Sequence, residues 1–167
     1  MMTAETYRKI SAPFRERPER IKGLVRLNKT LTNITYLAYF ALIISQLVLD
    51  LQAAWRVILI PAIGFFGVTI FRKLYNAKRP YQLLEIEPLI ARDKEGQSFP
   101  SRHVFSIFMI SVAIGYVCWP LGMVFAVFSV ILAWVRVVGG VHFPKDVIAG
   151  AAIALIWGHL GFLVLLA

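Results

Sequence analysis

The chain has 167 residues, a length suited to one domain, but 59% of them are apolar and the mean hydropathy is +0.70, too hydrophobic for a protein whose main solvent is water. Eighteen Lys and Arg outnumber nine Asp and Glu, for a formal charge of +9. Intrinsic disorder is excluded because it needs low hydrophobicity, and the single cysteine, Cys118, excludes an internally stapled disulfide scaffold.

Residues 1–30 form a basic segment with eight Lys or Arg against Glu5, Glu16 and Glu19, and with Ile10, Phe14, Ile21, Leu24 and Val25 at loosely helical spacing. Pro13 and Pro18 are expected to divide it into short pieces. Two readings fit: an amphipathic anchor on anionic headgroups, or a solvated tail that helps to set orientation. The segment is too long and polar for the charged start of a cleavable signal peptide, so the first apolar helix is expected to stay attached.

Residues 31–167 contain five apolar stretches, Leu31 to Leu49, Ala53 to Phe71, His103 to Val117, Pro120 to Val135 and Val147 to Ala167. A hydrocarbon core about 30 Å thick takes about 20 helical residues, and backbone groups in lipid must be satisfied within their own segment. The expected fold is therefore all-α, a polytopic bundle of about five transmembrane helices. Pro120 suits the first turn of the fourth. Gly150, Ala154 and Gly158 make a stripe of small residues on the fifth that lets a neighbouring helix approach closely.

Alternating spans place the starts of the first, third and fifth helices and the ends of the second and fourth on one face. Seventeen of the eighteen cations fall there, Arg56 being the exception, which predicts that this face is cytoplasmic and the location a plasma membrane. No soluble module remains for nucleic acid to bind, despite the charge. The connection between Arg72 and Arg102 is too long for a simple turn. It reads either as a solvated loop or, the favoured reading, as a partly helical lid whose Leu83, Leu84, Ile86, Leu89 and Ile90 touch lipid, with Glu85, Glu87, Arg92, Asp93, Lys94 and Glu95 interspersed. His159, about 20 Å beyond Asp146 along the last helix, is expected to be a packed interior polar group.

Three stretches on the crowded face carry chemistry: Arg72 to Pro80, Ser98 to His103, and Arg136 to Asp146. Guanidinium forks match phosphate oxygens, and Ser101 at a helix start adds a hydroxyl beside unsatisfied amides that favour an anion. His142 and Asp146, four residues apart, face one another on a helical turn, so the carboxylate can fix the imidazole tautomer. That pair suits a nucleophile with its orienter, and His103 suits a general acid. Taken singly, such arginines are more often snorkelling anchors, and the Asp146 carboxylate is more often a cap; three distant segments converging on one face favour function.

These residues resemble the signatures of the type 2 phosphatidic acid phosphatase (PAP2) superfamily: Lys-x6-Arg-Pro, Pro-Ser-Gly-His and Ser-Arg-x5-His-x3-Asp. The resemblance implies a PAP2/haloperoxidase-like core and a membrane phosphatase that needs no metal or other cofactor. It further implies that Arg72, Arg79, Ser101 and Arg136 hold phosphate, His142 becomes phosphorylated, Asp146 orients it, and His103 protonates the leaving group. The chain departs from the pattern at Arg72 for Lys, Arg102 for Gly and Val135 for Ser. Arg102 is a further candidate for substrate binding. The dense cations favour a prenyl diphosphate such as undecaprenyl diphosphate over phosphatidic acid or phosphatidylglycerol phosphate, whereas a cytoplasmic face argues against an externally presented carrier lipid. Two competing classes are an anion transporter, disfavoured because only Arg56 and His159 lie at depth, and a noncatalytic lipid-binding protein. Oligomeric state is not legible.

Overall fold

The computed structural model describes residues 2–91 and 95–164, so Arg92, Asp93 and Lys94 of the long connection and Leu165 to Ala167 of the last expected span lie outside the described residues. The described residues form helices α1 (Ala4–Arg15), α2 (Pro18–Leu49), α3 (Leu51–Tyr75), α4 (Pro80–Leu83), α5 (Arg102–Val117), α6 (Trp119–Val138) and α7 (Pro144–Val164). Local chemistry accounts for the boundaries. Thr3 caps α1 by accepting from Thr6 N at 3.1 Å, and Asp50 both ends α2 and caps α3 by accepting from Ala53 N at 3.0 Å, as short polar side chains do at helix starts. Pro18 opens α2 and a proline lies in the first turn of α6, where the missing N–H costs nothing.

Pro13 lies inside α1 without ending it. Pro18, rather than breaking a helix, starts the 32-residue α2 that runs without interruption into the first span. At 1.5 Å per residue α2 is about 48 Å long, longer than the hydrocarbon core, so its first turns project on the face that carries α1.

Four helices are long and apolar enough to span a bilayer, and α5 is a shorter apolar one. Its 16 residues reach only about 24 Å. It can be short because protein rather than lipid surrounds it: α5 packs against α2, α3, α6 and α7, and Val104, Phe105 and Ala113 have no exposed surface. Small residues allow the close approach. Gly115 of α5 meets Gly122 of α6 backbone to backbone, and a Cβ on Gly150 would lie 2.6 Å from Ser101 O. The outer faces of α2, α3, α6 and α7 carry exposed apolar residues at helical spacing, such as Leu37, Phe40, Ile44 and Val48 on α2 and Met123, Val127, Val130 and Trp134 on α6. This is a lipid-facing belt. The chain is a multi-pass membrane protein.

Two expectations are corrected. Among the described residues the long connection is partly helical, as expected, over the four residues of α4, but most of its apolar residues do not face lipid. Its Ile86, Leu89 and Ile90 are buried in a cluster with Tyr7, Leu24, Val135, Val138 and Val141, so they contact protein where lipid was expected; Leu83 alone of the five is exposed. His159 is exposed rather than interior. Gly150, Ala154 and Gly158 face α5, and the next residue is turned about 100° away from that stripe. His159 Nδ1 lies 2.8 Å from Leu155 O, one turn back.

Candidate active site

The ends of α3 and α6 and the starts of α5 and α7 meet at one end of the bundle, and backbone hydrogen bonds lace their connections together. Asn76 ends α3 in the left-handed conformation; Ser98 N donates to Ala77 O at 2.8 Å, and Gln82 Oε1 accepts from both Arg79 N and Gly96 N at 2.9 Å. Ser101 N donates to Asp146 O at 2.8 Å, which joins the start of α5 to that of α7. On the other side, Gly139 O accepts from Leu89 N at 3.0 Å and Ile90 N at 3.3 Å.

Asp146 is in the first turn of α7, fully buried. Its Oδ2 accepts from Phe143 N, just before the helix, at 3.0 Å, the reciprocal half of a capping box. The same oxygen accepts from Ser98 Oγ at 2.5 Å and faces His142 Nδ1 at 3.5 Å; Ser98 Oγ is also 3.5 Å from that nitrogen. The carboxylate therefore caps the helix and addresses the imidazole at once. His142 is 2% exposed. Burial pushes its pKa well below the ordinary 6.5; Asp146 opposes the shift, and the charges of Arg136 and Arg79 add to it. The ring is neutral near pH 7, the form whose Nε2 lone pair is free.

Cations surround this pair. Arg72, Arg79 and Arg136 are only 3–4% exposed. Arg72 donates through Nη1 to Ser98 O at 3.3 Å and to Pro100 O, and Arg79 donates through Nε to Gly96 O at 3.0 Å. The charges of Arg79, Arg102, Asp146 and Arg136 all act on Arg72. Asp146 is the only buried carboxylate among the described residues, and it already accepts from Ser98 and Phe143. Three buried guanidiniums around one engaged carboxylate leave a positive centre, which is costly unless an anion enters. Ser101 is fully buried and its Oγ has no hydrogen-bond partner, so a hydroxyl is available to that anion.

The structure thus brings Arg72, Arg79, Ser101, Arg136, His142 and Asp146 into one buried centre. His103 is half-buried in the first turn of α5, two residues after Ser101 and at the same end of the bundle as His142. Arg102 is also half-buried, its Cζ 5.4 Å from the Phe65 ring centroid. Phe65 lines an apolar groove of about 450 Å³ between α2, α3 and α5, together with Tyr36, Phe40, Phe105 and Met109. Ser98 is the residue that sequence reasoning passed over. Its only signal was a hydroxyl three positions before Ser101 in the same stretch; that it reaches Asp146, 48 residues on, is a property of the fold.

A model of the PAP2 superfamily matches residues 53–166. The undecaprenyl-diphosphatase BcrC of Bacillus subtilis (strain 168) is 26% identical over 153 residues, covering 85% of this chain and 79% of that protein. YbjG of Escherichia coli (strain K12) is 27% identical over 142 residues, covering 83% and 70%. The crystal structure of Aquifex aeolicus LpxE superposes with a TM-score of 0.75 at 22% identity, over 96% of this chain and 94% of that one. That of the transmembrane PAP2 type phosphatidylglycerolphosphate phosphatase from Bacillus subtilis gives 0.58 at 19%, over 93% and 90%. At these identities the structural likeness is one of fold.

Proposed function

We propose, for a chain that belongs to the PAP2 superfamily by its match over residues 53–166, that it is a membrane phosphatase hydrolysing a prenyl diphosphate through a phosphohistidine intermediate. The observation that carries the reading is the buried positive centre, three guanidiniums and an unpartnered serine hydroxyl around a neutral imidazole.

In this mechanism Arg72, Arg79, Arg136 and Ser101 Oγ hold the oxygens of the terminal phosphoryl group, and their donors neutralise its charge as it passes to His142. His142 Nε2 forms a bond to phosphorus while the bond from phosphorus to the leaving oxygen breaks. His103 gives that oxygen its proton. Asp146, facing Nδ1–H, stabilises the positive charge that develops on the ring. Water then attacks the phosphohistidine, passing a proton to His103, and inorganic phosphate leaves. Guanidinium charge does the electrostatic work, so no metal ion is required.

The substrate class is supported by the name of BcrC, an undecaprenyl-diphosphatase, and by Arg102, which follows Ser101 in the chain and lies over the ring of Phe65, a residue of the apolar groove. A polyprenyl chain lies in that groove, and Arg102 neutralises the phosphate nearer the chain. The concentration of cations on this face, fifteen among the described residues, supports a cytoplasmic orientation in a plasma membrane.

The test is phosphate release by the purified protein in detergent with a chelator, comparing a prenyl diphosphate with phosphatidic acid and phosphatidylglycerol phosphate. Release is expected to be fastest from the diphosphate, to persist in chelator and to vanish in His142→Ala. Release surviving in His142→Ala overturns the nucleophile assignment, loss in chelator overturns metal independence, and preference for phosphatidic acid overturns the substrate class.

A further inference from the structure

The first helix, α1, lies before the family-matched region and packs on a turn next to the site. Tyr7, Ser11 and Arg15 fall at i, i+4 and i+8 on one face of α1; Tyr7 and Ser11 are buried and Arg15, at the end of the helix, is exposed. Tyr7 is 1% exposed. Its hydroxyl donates to Glu87 O at 3.2 Å, and the Arg15 guanidinium donates to the same carbonyl while lying 5.8 Å over the Tyr7 ring.

What Tyr7 covers is the turn that carries His142. Gly140 has φ +75°, and a Cβ there would lie 2.6 Å from Tyr7 Oη. Only glycine adopts this conformation without strain, and here it also leaves room for the phenol. Val141 follows, fully buried, with its N–H donating to Arg136 O at 3.3 Å, and His142 comes next. Ile90 packs against Gly139, the residue before Gly140. The Gly139–Gly140 turn is therefore held by α1 and the 84–90 segment. Burial raises the pKa of the Tyr7 phenol against the pull of Arg15, which keeps its hydroxyl a donor.

We infer that Tyr7 is a positioning residue for catalysis: packed on Gly140 and anchored to the Glu87 carbonyl, it sets the turn that aims His142 at phosphorus. The inference rests on the reading of His142 as the nucleophile. Arg72 is carried by the last turn of α3 and Arg79 is held by Gly96 O, both away from the turn that Tyr7 covers, and Arg136 is fixed within the last turn of α6 and meets that turn through its own carbonyl, so most of the phosphate cradle stays in place without Tyr7. Loss of Tyr7 therefore lowers kcat and leaves KM nearly unchanged. A misplacement of 1 Å costs up to about 100-fold in rate.

The experiment compares full-length Tyr7→Ala, Tyr7→Phe and Leu24→Ala in detergent; Leu24 belongs to the same buried cluster and serves as a control for general loosening. Steady-state rates on a prenyl diphosphate are measured with the ring resonances of ¹³C-labelled histidine, the His142 signal being identified by its loss in His142→Ala. Tyr7→Ala is expected to lower kcat about 10- to 100-fold with KM within about twofold and to displace the His142 resonance. Tyr7→Phe, which keeps the ring on Gly140, is expected to restore most of kcat, and Leu24→Ala to leave the resonance in place. The inference is overturned if Tyr7→Ala keeps kcat and the resonance, or if Leu24→Ala reproduces both changes. A parent protein that releases no phosphate from any substrate refutes the phosphatase reading instead, and the resonance then decides alone whether Tyr7 positions the turn.

Discussion

Ser98→Ala tests the centre of the site with the fewest side effects, since it removes one oxygen atom and little volume. Ser98 is fully buried, so solvent does not screen its 2.5 Å hydrogen bond to Asp146 Oδ2. A hydrogen bond to a charged group contributes about 1.5–3 kcal/mol, and about 1.4 kcal/mol is a factor of ten in rate. The upper bound on the loss in kcat/KM is thus about 150-fold. Phe143 N still holds the same oxygen at 3.0 Å, so part of the orientation survives and the expected loss is about 10- to 30-fold. A double-mutant cycle with Asp146→Asn isolates the interaction. With the acceptor's charge removed, Ser98→Ala is expected to cost about threefold or less. Phosphate release at saturating and limiting prenyl diphosphate supplies the rates, and thermal unfolding in detergent checks that the variants fold. Equal costs in both backgrounds, or a single-variant loss below about twofold, would refute the claim that Ser98 acts through Asp146.

Because the pKa of His142 is held below 6.5 by burial, kcat/KM is expected to stay level as pH falls from 7 through 6.5 and to decline only in more acid solution, where the ring takes up a proton; an acid limb centred at 6.5 or above contradicts the assignment. The same shift means that the unfolded chain binds a proton that the folded chain does not, so stability is lost as pH falls below 6.5, measurable as a falling Tm in detergent. Gly150→Ala places a methyl 2.6 Å from Ser101 O and is expected to cost about 1–3 kcal/mol of stability as well as activity, whereas Gly23→Ala, with nothing within 4 Å, lowers neither; equal Tm values for the two sink the close-packing argument. Arg102→Gly is expected to raise KM for a prenyl diphosphate about tenfold more than for a prenyl monophosphate, and an equal effect on both removes Arg102 from diphosphate recognition.

The helices were legible because lipid imposes a simple rule: apolar residues over the length of a span, satisfied within the segment. The expected spans fall within α2, α3, α5 and α6, and the expected start of the fifth falls within α7. Arg72, Arg79, Ser101, Arg136, His142 and Asp146 were legible because their chemistry is local, a cation or imidazole at a helix end. Contacts made across the fold were not. Ser98 and Asp146 are 48 residues apart and Tyr7 and Gly140 still farther, and no periodicity links them. Ile86, Leu89 and Ile90 illustrate the same limit: an apolar run beside a membrane has two apolar places to go, and here α1 and the end of α6 take it from lipid. His159 was open to a better reading, since the small-residue stripe already fixed which face of α7 meets α5.

The placement of the arginines follows from the direction of the helices. A phosphate at this end of the bundle meets the amino terminus of α5, whose first N–H groups attract it, and the carboxyl termini of α3 and α6, whose carbonyls repel it; the start of α7 is already capped by Asp146. The cations answer that asymmetry. Arg72 and Arg136 sit in the last turns of α3 and α6, where the helix field favours a positive charge, and each turns a repelling terminus into an attracting one. The short polar Ser101 stands at the start of α5, where the amides already suit an anion and a bulkier side chain would block them. Exchanging Arg for a neutral residue at position 72 or 136 therefore removes a charge and exposes the substrate to the carbonyls behind it. Such variants are expected to lose more phosphate affinity than Ser101→Ala, in a binding assay with orthovanadate or inorganic phosphate; the reverse order would show that the helix termini contribute little to the field.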